Sequence, residues 1–192
     1  MDDIGKRPLV VGIGGTVRPG SSTERALACS LRAAEARGAR TRLLGGAFLS
    51  RLPIYDPRPN NVTPEQQELA ELVRAADGLI VASPGYHGSI SGLIKNALDT
   101  LELTREDAAP YFQAKPVGAI IIADGWQAVG ASLMALRSII HALRGWPTPL
   151  GAALKSGDLF DETGAAKDEK DAWQLATVAE QVVEFTQMRA GA

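Results

Sequence analysis

The chain has 192 residues, 45% of them hydrophobic and 22% charged, with a formal net charge of -2. That length and composition fit one globular domain spanning residues 1–192. They exclude a basic nucleic-acid face, a membrane helix (no apolar run reaches ~18 residues), and a disulfide framework or structural zinc site, since there is one cysteine beside two histidines. Residues 1–8 lack the apolar stretch of a signal peptide, so the expected compartment is the cytoplasm.

Residues 9–13 read as a first strand. A Gly-, Ser- and Thr-rich loop follows, and then a helix over 23–37 with Leu27, Leu31 and Ala34 on one face and Gly38 as its stop. Residues 41–44 form a short second strand, and 45–62 a long loop. Thr63-Pro-Glu-Gln66 starts a helix to about residue 76, with proline at its first position and a capping-box glutamine. A third strand at 78–82, a helix at 91–103 and a strongly β-like fourth strand at 116–123 come next. A helix at 130–144, a fifth strand at 149–154 and a last helix at 168–189 complete the pattern. Strands alternating with helices imply a parallel sheet covered on both faces. Five strands fit a flavodoxin-like three-layer α/β sandwich of order 2-1-3-4-5, whose ligands bind beyond the strand ends between strands 1 and 3.

The loops after strands 1, 3 and 4 meet there. The first is Gly12-Ile-Gly-Gly-Thr-Val-Arg-Pro-Gly-Ser-Ser-Thr23. A helix start presents free N–H groups and the positive end of the helix dipole to an anion. Thr16, Ser21, Ser22 and Thr23 add hydroxyls, and Arg18 adds a bidentate cation. Two near misses narrow the ligand. Gly12 and Gly14 begin a dinucleotide G-x-G-x-x-G, but the third glycine position falls on Val17. Gly15 and Gly20 have Walker A spacing, but Ser21 stands where the lysine belongs. What remains suits one phosphate monoester such as that of FMN; the competing reading is an ordinary capped Gly-Ser turn. The second loop, 83–92, has little side-chain bulk, which leaves its backbone open to a planar ring. Tyr86 packs on that ring or on the protein, and His87 reaches its edge or is solvated. In the third loop, 124–130, Gly125 permits close approach and Trp126 is either a flat ligand cover or a core residue. Gly88-Ser-Ile-Ser-Gly92 is no nucleophile elbow, because its middle residue is Ile90.

Gly15-Thr-Val-Arg-Pro-Gly-Ser-Ser-Thr23 resembles the G-[ST]-x-R-x-x-S-x-[NST] loop of the NADPH-dependent FMN reductase family. Residues 83–99 are similar to its P-E-Y-[NH]-G-S-x-x-G-x-L-K-N-A-x-D segment, and Leu52-Pro-Ile-Tyr-Asp56 to its L-P-x-Y-[DN] loop. The resemblance covers roughly 9–152. It implies FMN as cofactor, NADPH or NADH as electron donor, and a homodimer or homotetramer with the flavin near a subunit interface. It also implies delivery of electrons to free flavin for a two-component monooxygenase, or to quinone-type acceptors. Thr16, Arg18, Ser21 and Thr23, with Ser22 adjacent, would then hold the phosphate, and Pro84, Gly85, Tyr86 and His87 would line the isoalloxazine. Gly85 departs from the family's usual glutamate. Asp124-Gly-Trp126 departs from its small Gly-rich turn, so Gly125 and Trp126 would border the flavin or the nicotinamide approach. The flavin carries the hydride chemistry, and no catalytic side chain is expected. The rival is a flavodoxin-type electron carrier; such carriers dock through strongly acidic surfaces, which 20 Lys+Arg against 22 Asp+Glu do not supply. Apolar residues in the 45–62 loop (Leu49, Leu52, Ile54, Tyr55) and in helix 91–103 (Leu93, Ile94, Leu98, Leu101, Leu103) lead to the expectation of an exposed oligomer-forming patch.

Overall fold

The computed structural model describes residues 7–58 and 62–190. Residues 1–6, where no leader is expected, residues 59–61 of the long loop, and 191–192 lie outside the described part.

Four parallel strands carry the sheet. These are β1 (Leu9–Gly14), β2 (Arg40–Leu44), β3 (Gly78–Tyr86) and β5 (Pro116–Ala123), in the order β2-β1-β3-β5. The fifth position is shared. β6 (Trp146–Pro147) pairs with the start of β5, and β7 (Ala152–Lys155) with its end. The predicted order 2-1-3-4-5 therefore holds in outline, with the last strand split. Pro147 and Pro149 explain the split, since neither has an N–H for the ladder. A seventh strand, β4 (Ser89–Ile90), folds back antiparallel on the end of β3.

Alternate residues of each central strand enter two separate cores, as the two-residue period of a strand requires. Val11, Ile13, Leu79, Val81, Val117, Ala119 and Ile121 face one side. There they meet α2 (Gly46–Leu49), α3 (Pro64–Ala75), α4 (Gly92–Thr100) and α5 (Trp126–Ala142). Val10, Ile80, Ala82, Ile120 and Ile122 face α1 (Ser22–Ala36) and α6 (Glu169–Ala190).

Local signals set most of the boundaries. Ser21 caps α1 by accepting the Glu24 N–H at 3.3 Å. Thr63 and Gln66 form the expected capping box at α3. Ser91 caps α4, so that helix begins one residue later than predicted, and after Thr100 it tightens into a 3-10 turn, Leu101–Thr104. Four departures bear on the site. The long loop contains the short helix α2. β3 runs four residues past its predicted end, so Ser83–Tyr86 is strand rather than loop. His87 and Gly88, with φ of 51° and 83°, make the two-residue turn of the β3–β4 hairpin. α5 begins at Trp126, four residues early, capped by the Gly125 backbone with no side-chain cap bond.

The oligomer-forming patch is corrected by the packing. Leu49, Leu52, Ile94, Leu98 and Leu101 are buried in the chain's own core. Of the apolar residues expected there, Ile54 is the one left largely exposed, at 82%.

Candidate functional site

A cavity of about 640 Å³ opens beyond the C-terminal ends of β1, β3, β5 and β7. β1 leads into α1 on one face of the sheet, and β3 leads through the hairpin into α4 on the other. The cavity therefore sits where the chain direction switches, the expected ligand position in an open parallel sheet.

Its anion end is built by the β1–α1 loop. Gly15 and Gly20 hold φ of 134° and 64°, values that favour glycine. Thr16 Oγ1 accepts the Arg18 N–H at 3.2 Å, which folds the loop back on itself. Thr16, Arg18, Ser21, Ser22 and Thr23 all line the cavity. The N-terminal end of α1 borders the same space, since Ser21, Ser22 and Thr23 line it. Ser21 and Thr23 are buried, and Arg18 is exposed.

The second wall is the end of β3, where Pro84, Gly85 and Tyr86 line the cavity. Tyr86 is 55% exposed, with its ring at the rim. A Cβ at Gly85 would lie 2.8 Å from Ser132 Oγ and 2.9 Å from the Ala123 Cβ. The absence of a side chain at 85 thus lets β3 seat against α5 and the neighbouring strand. Ser83 ties this wall to α4: its hydroxyl accepts the Ser91 N–H at 3.0 Å and donates to the Pro84 carbonyl at 2.9 Å. His87 sits exposed at the hairpin tip, outside the cavity lining.

The third wall is Ile122, Ala123 and Asp124 from the end of β5. Gly125 and Trp126 lie beyond it. Trp126 is 62% exposed, which removes the core reading and leaves its ring on the surface at the start of α5.

Sequence reasoning missed Arg25, Asp124, Ser156 and Gly157, which also line the cavity. The Ser156 hydroxyl donates to the Asp124 carboxylate, and the Ser156 N–H to the Ala123 carbonyl at 2.9 Å. Arg25 lies over the Phe160 ring at 5.3 Å and donates to the Asp161 carbonyl. A signal for Arg25 was present: it stands four residues after the Ser21 cap, on the first turns of α1. Ser156 carried none, because its partner is 32 residues away. The Leu52–Asp56 segment does not line the cavity. It is pinned to α4 by Asn96, whose Oδ1 accepts the Tyr55 N–H at 2.8 Å and whose Nδ2 donates to the Pro53 carbonyl at 2.9 Å.

Taken together, the cavity offers a cationic, N–H- and hydroxyl-rich end and a side bordered by a strand end with little side-chain bulk. Among the described residues no group of His, Cys, Asp and Glu is arranged to hold a metal ion, and no helix is long and apolar enough to cross a membrane.

Comparison with known proteins agrees with this geometry. An FMN-dependent NADPH-azoreductase of Staphylococcus aureus is 35% identical over 119 residues, covering 62% of this chain and 56% of that protein. The chain thus matches little more than half the length of that curated relative. The structure of the flavoenzyme NAD(P)H:(acceptor) oxidoreductase FerB from Paracoccus denitrificans superposes with a TM-score of 0.79 at 21% identity, covering 94% of this chain and 98% of that one. The apo form of an NADH:FMN oxidoreductase, EMOB, gives a TM-score of 0.69 at 22% identity, covering 94% and 89%. These structural likenesses establish the fold. The sequence model of the NADPH-dependent FMN reductase family matches residues 8–158, well over half of the sequence, and the chain belongs to that family.

Proposed function

We propose that the chain is an NAD(P)H-dependent FMN reductase acting through the switch-point cavity. The observation that carries the reading is the union of the α1 anion loop and the bare end of β3 in one cavity of about 640 Å³. That volume falls within the range of small-molecule sites, about 300–1,000 Å³. The donor set fits FMN: Arg18, Thr16, Ser21, Ser22, Thr23 and the first N–H groups of α1 would hold its phosphate. The Pro84–Tyr86 strand end would border its ring, with His87, Gly125 and Trp126 around the outer approach.

FMN, when bound, supplies the hydride acceptor, and a nicotinamide supplies the hydride. The chain's own task is to hold two rings in register, and the fixed strand ends and the α1 cap do that. No side chain is assigned as catalytic. NADPH is the donor the family name points to, with NADH as the alternative. Electrons then leave for free flavin, serving a two-component monooxygenase, or for quinone-type acceptors. Reduced nicotinamides are made inside the cell, so we assign the protein to the cytoplasm, with residues 1–192 acting as one FMN-binding unit.

We also assign a homodimer or homotetramer. Trp126, Gly130 and Met134 lie four residues apart along one side of α5, and Trp126 and Met134 are 62% and 64% exposed. Large exposed apolar side chains grouped in this way favour an interface.

Flavin titration followed by steady-state NADPH and NADH oxidation with free FMN tests the reading. Submicromolar FMN binding with sustained turnover is expected. Binding without turnover would instead make the chain a flavodoxin-type carrier, and no binding would end the flavin reading. Light scattering at micromolar concentration should show at least a dimer; a monomeric mass would remove that assignment.

A further inference from the structure

The anion end of the cavity is shaped from behind by a side chain that does not line it. The loop leaving β1 and the turn between β2 and α2 lie backbone against backbone. A Cβ placed on Gly46 would stand 1.7 Å from the Thr16 carbonyl oxygen, and one on Gly15 would stand 2.8 Å from the Gly46 nitrogen. Segments this close have no side chains of their own to interlock. Glu24, from the first turn of α1, reaches into the seam. Its Oε2 accepts the Gly46 N–H at 2.8 Å, and it lies 3.0 and 2.7 Å from where Cβ atoms on Gly15 and Gly45 would be. Gly45, the N-cap of α2, has no side-chain cap bond, so Glu24 supplies that acceptor from another element.

The charge makes the placement informative. The first turn of α1 borders the cavity through Ser22 and Thr23, and a carboxylate in that turn disfavours a second anion nearby. Here the carboxylate is turned away from the cavity and spent on the α2 start. From Gly46 the connection runs to the Thr16 backbone, and the Thr16 hydroxyl in turn accepts the Arg18 N–H and donates to the Arg18 carbonyl. We propose that Glu24 is a positioning residue for the anion loop: by tying the start of α2 to the first turn of α1, it fixes Thr16 and Arg18 where a flavin phosphate needs them. This rests on the FMN reading above and goes beyond it by separating the reach of the side chain from its charge.

Two mild variants make that separation. Glu24→Asp keeps the charge and shortens the reach, so the Gly46 bond is lost. Glu24→Gln keeps an oxygen acceptor at full reach and removes the charge. Each is titrated with FMN and with riboflavin, which lacks the phosphate, and each is melted thermally. Glu24→Asp should bind FMN about tenfold more weakly, the scale of one hydrogen bond to a charged group, with riboflavin affinity within about twofold of the native chain. Glu24→Gln should bind FMN as tightly as the native chain or more tightly. The inference is overturned if Glu24→Asp keeps its preference for FMN, if it loses both flavins alike with a lowered melting temperature, or if Glu24→Gln falls with it. A native chain that shows no preference for FMN over riboflavin would overturn the phosphate reading itself, and the inference with it.

Discussion

Arg18 stands exposed on the cavity wall, and among the described residues it joins no ion pair. A guanidinium left open beside capped N–H groups and hydroxyls is available to a phosphate. Arg18→Ala should weaken FMN binding by roughly 10- to 150-fold, the worth of a charge-assisted bond, and barely change riboflavin binding. Equal losses for both flavins would show that Arg18 acts on folding rather than on phosphate. Trp126 carries a different expectation. Its exposure means that Trp126→Ala should alter stability by no more than about 0.5 kcal/mol, against about 3–5 kcal/mol for a core tryptophan. If its ring borders the acceptor approach, the same variant shifts the ratio of quinone to free-flavin turnover; an unchanged ratio removes Trp126 from the site. The cavity lining was unequally legible for a physical reason. Arg18 and its hydroxyl neighbours act through one local loop, whose composition announces its shape. The end of β5 was read at residue 123, where it lies, but the crossing of Ser156 to Asp124 follows from the pairing of β7 with β5 rather than from neighbours in sequence.

The β3–β4 hairpin and the 158–168 segment show how elements shape the cavity. Ser-Pro-Gly in the sequence reads as a loop, yet Pro84 stays in the sheet opposite Ile122. Strand continuation there is held by tertiary packing, against the turn tendency of Pro and Gly. The early start of α5 was hidden in a similar way, since Gly125 offers no side-chain cap to signal it. Gly85→Glu, which introduces a side chain at the bare end of β3, places a Cβ against Ser132 and Ala123. Overpacking of that kind should destabilise the chain by about 1–3 kcal/mol, and Ser132→Gly in the same chain should recover part of it. Calorimetry on the single and double variants checks the coupling, and strictly additive losses would place the strain elsewhere. In the 158–168 segment the Asp161 carboxylate accepts the Thr163 N–H at 2.9 Å, the Thr163 hydroxyl at 2.7 Å and the Ala165 N–H at 3.0 Å. The Thr163 hydroxyl bond leads in holding this carboxyl below the usual aspartate value, and backbone N–H bonds add to it. A lowered folded value means the turn gains stability above the unfolded aspartate value, and loses it as pH falls through the folded one. Amide exchange at Thr163 and Ala165 should therefore become less protected relative to the chain average as pH falls below the usual aspartate value, before the sheet melts. Protection that stays constant through that window would separate the carboxylate from the turn's stability.

At the scale of the whole molecule, the family match stops at residue 158 while the fold does not. α6 covers the sheet face behind the cavity, and its Leu175, Val178, Val182 and Val183 are buried against Val10, Ile80 and Ile120. The seat is close: a Cβ added at Gly118 of β5 would stand 2.4 Å from the Val178 Cγ1. The segment before α6 also reaches the site, because Phe160 is buried beneath the Arg25 guanidinium that lines the cavity. Burying those four α6 side chains is worth about 1.5–3 kcal/mol each, together about 6–12 kcal/mol. That is the size of the whole net stability of an ordinary domain, about 5–15 kcal/mol. A chain ended after residue 158 therefore keeps every residue of the matched segment and loses one of the two helices on that face, leaving Ile80 and Ile120 covered by α1 alone. It should show no cooperative thermal transition, bind a hydrophobic dye, and fail to bind FMN although the anion loop is intact. Adding α6 back as a separate peptide should restore some of the transition if packing is the cause. A truncated chain that melts cooperatively and binds FMN would mean that α1 alone closes this face, and that α6 contributes far less than its burial implies.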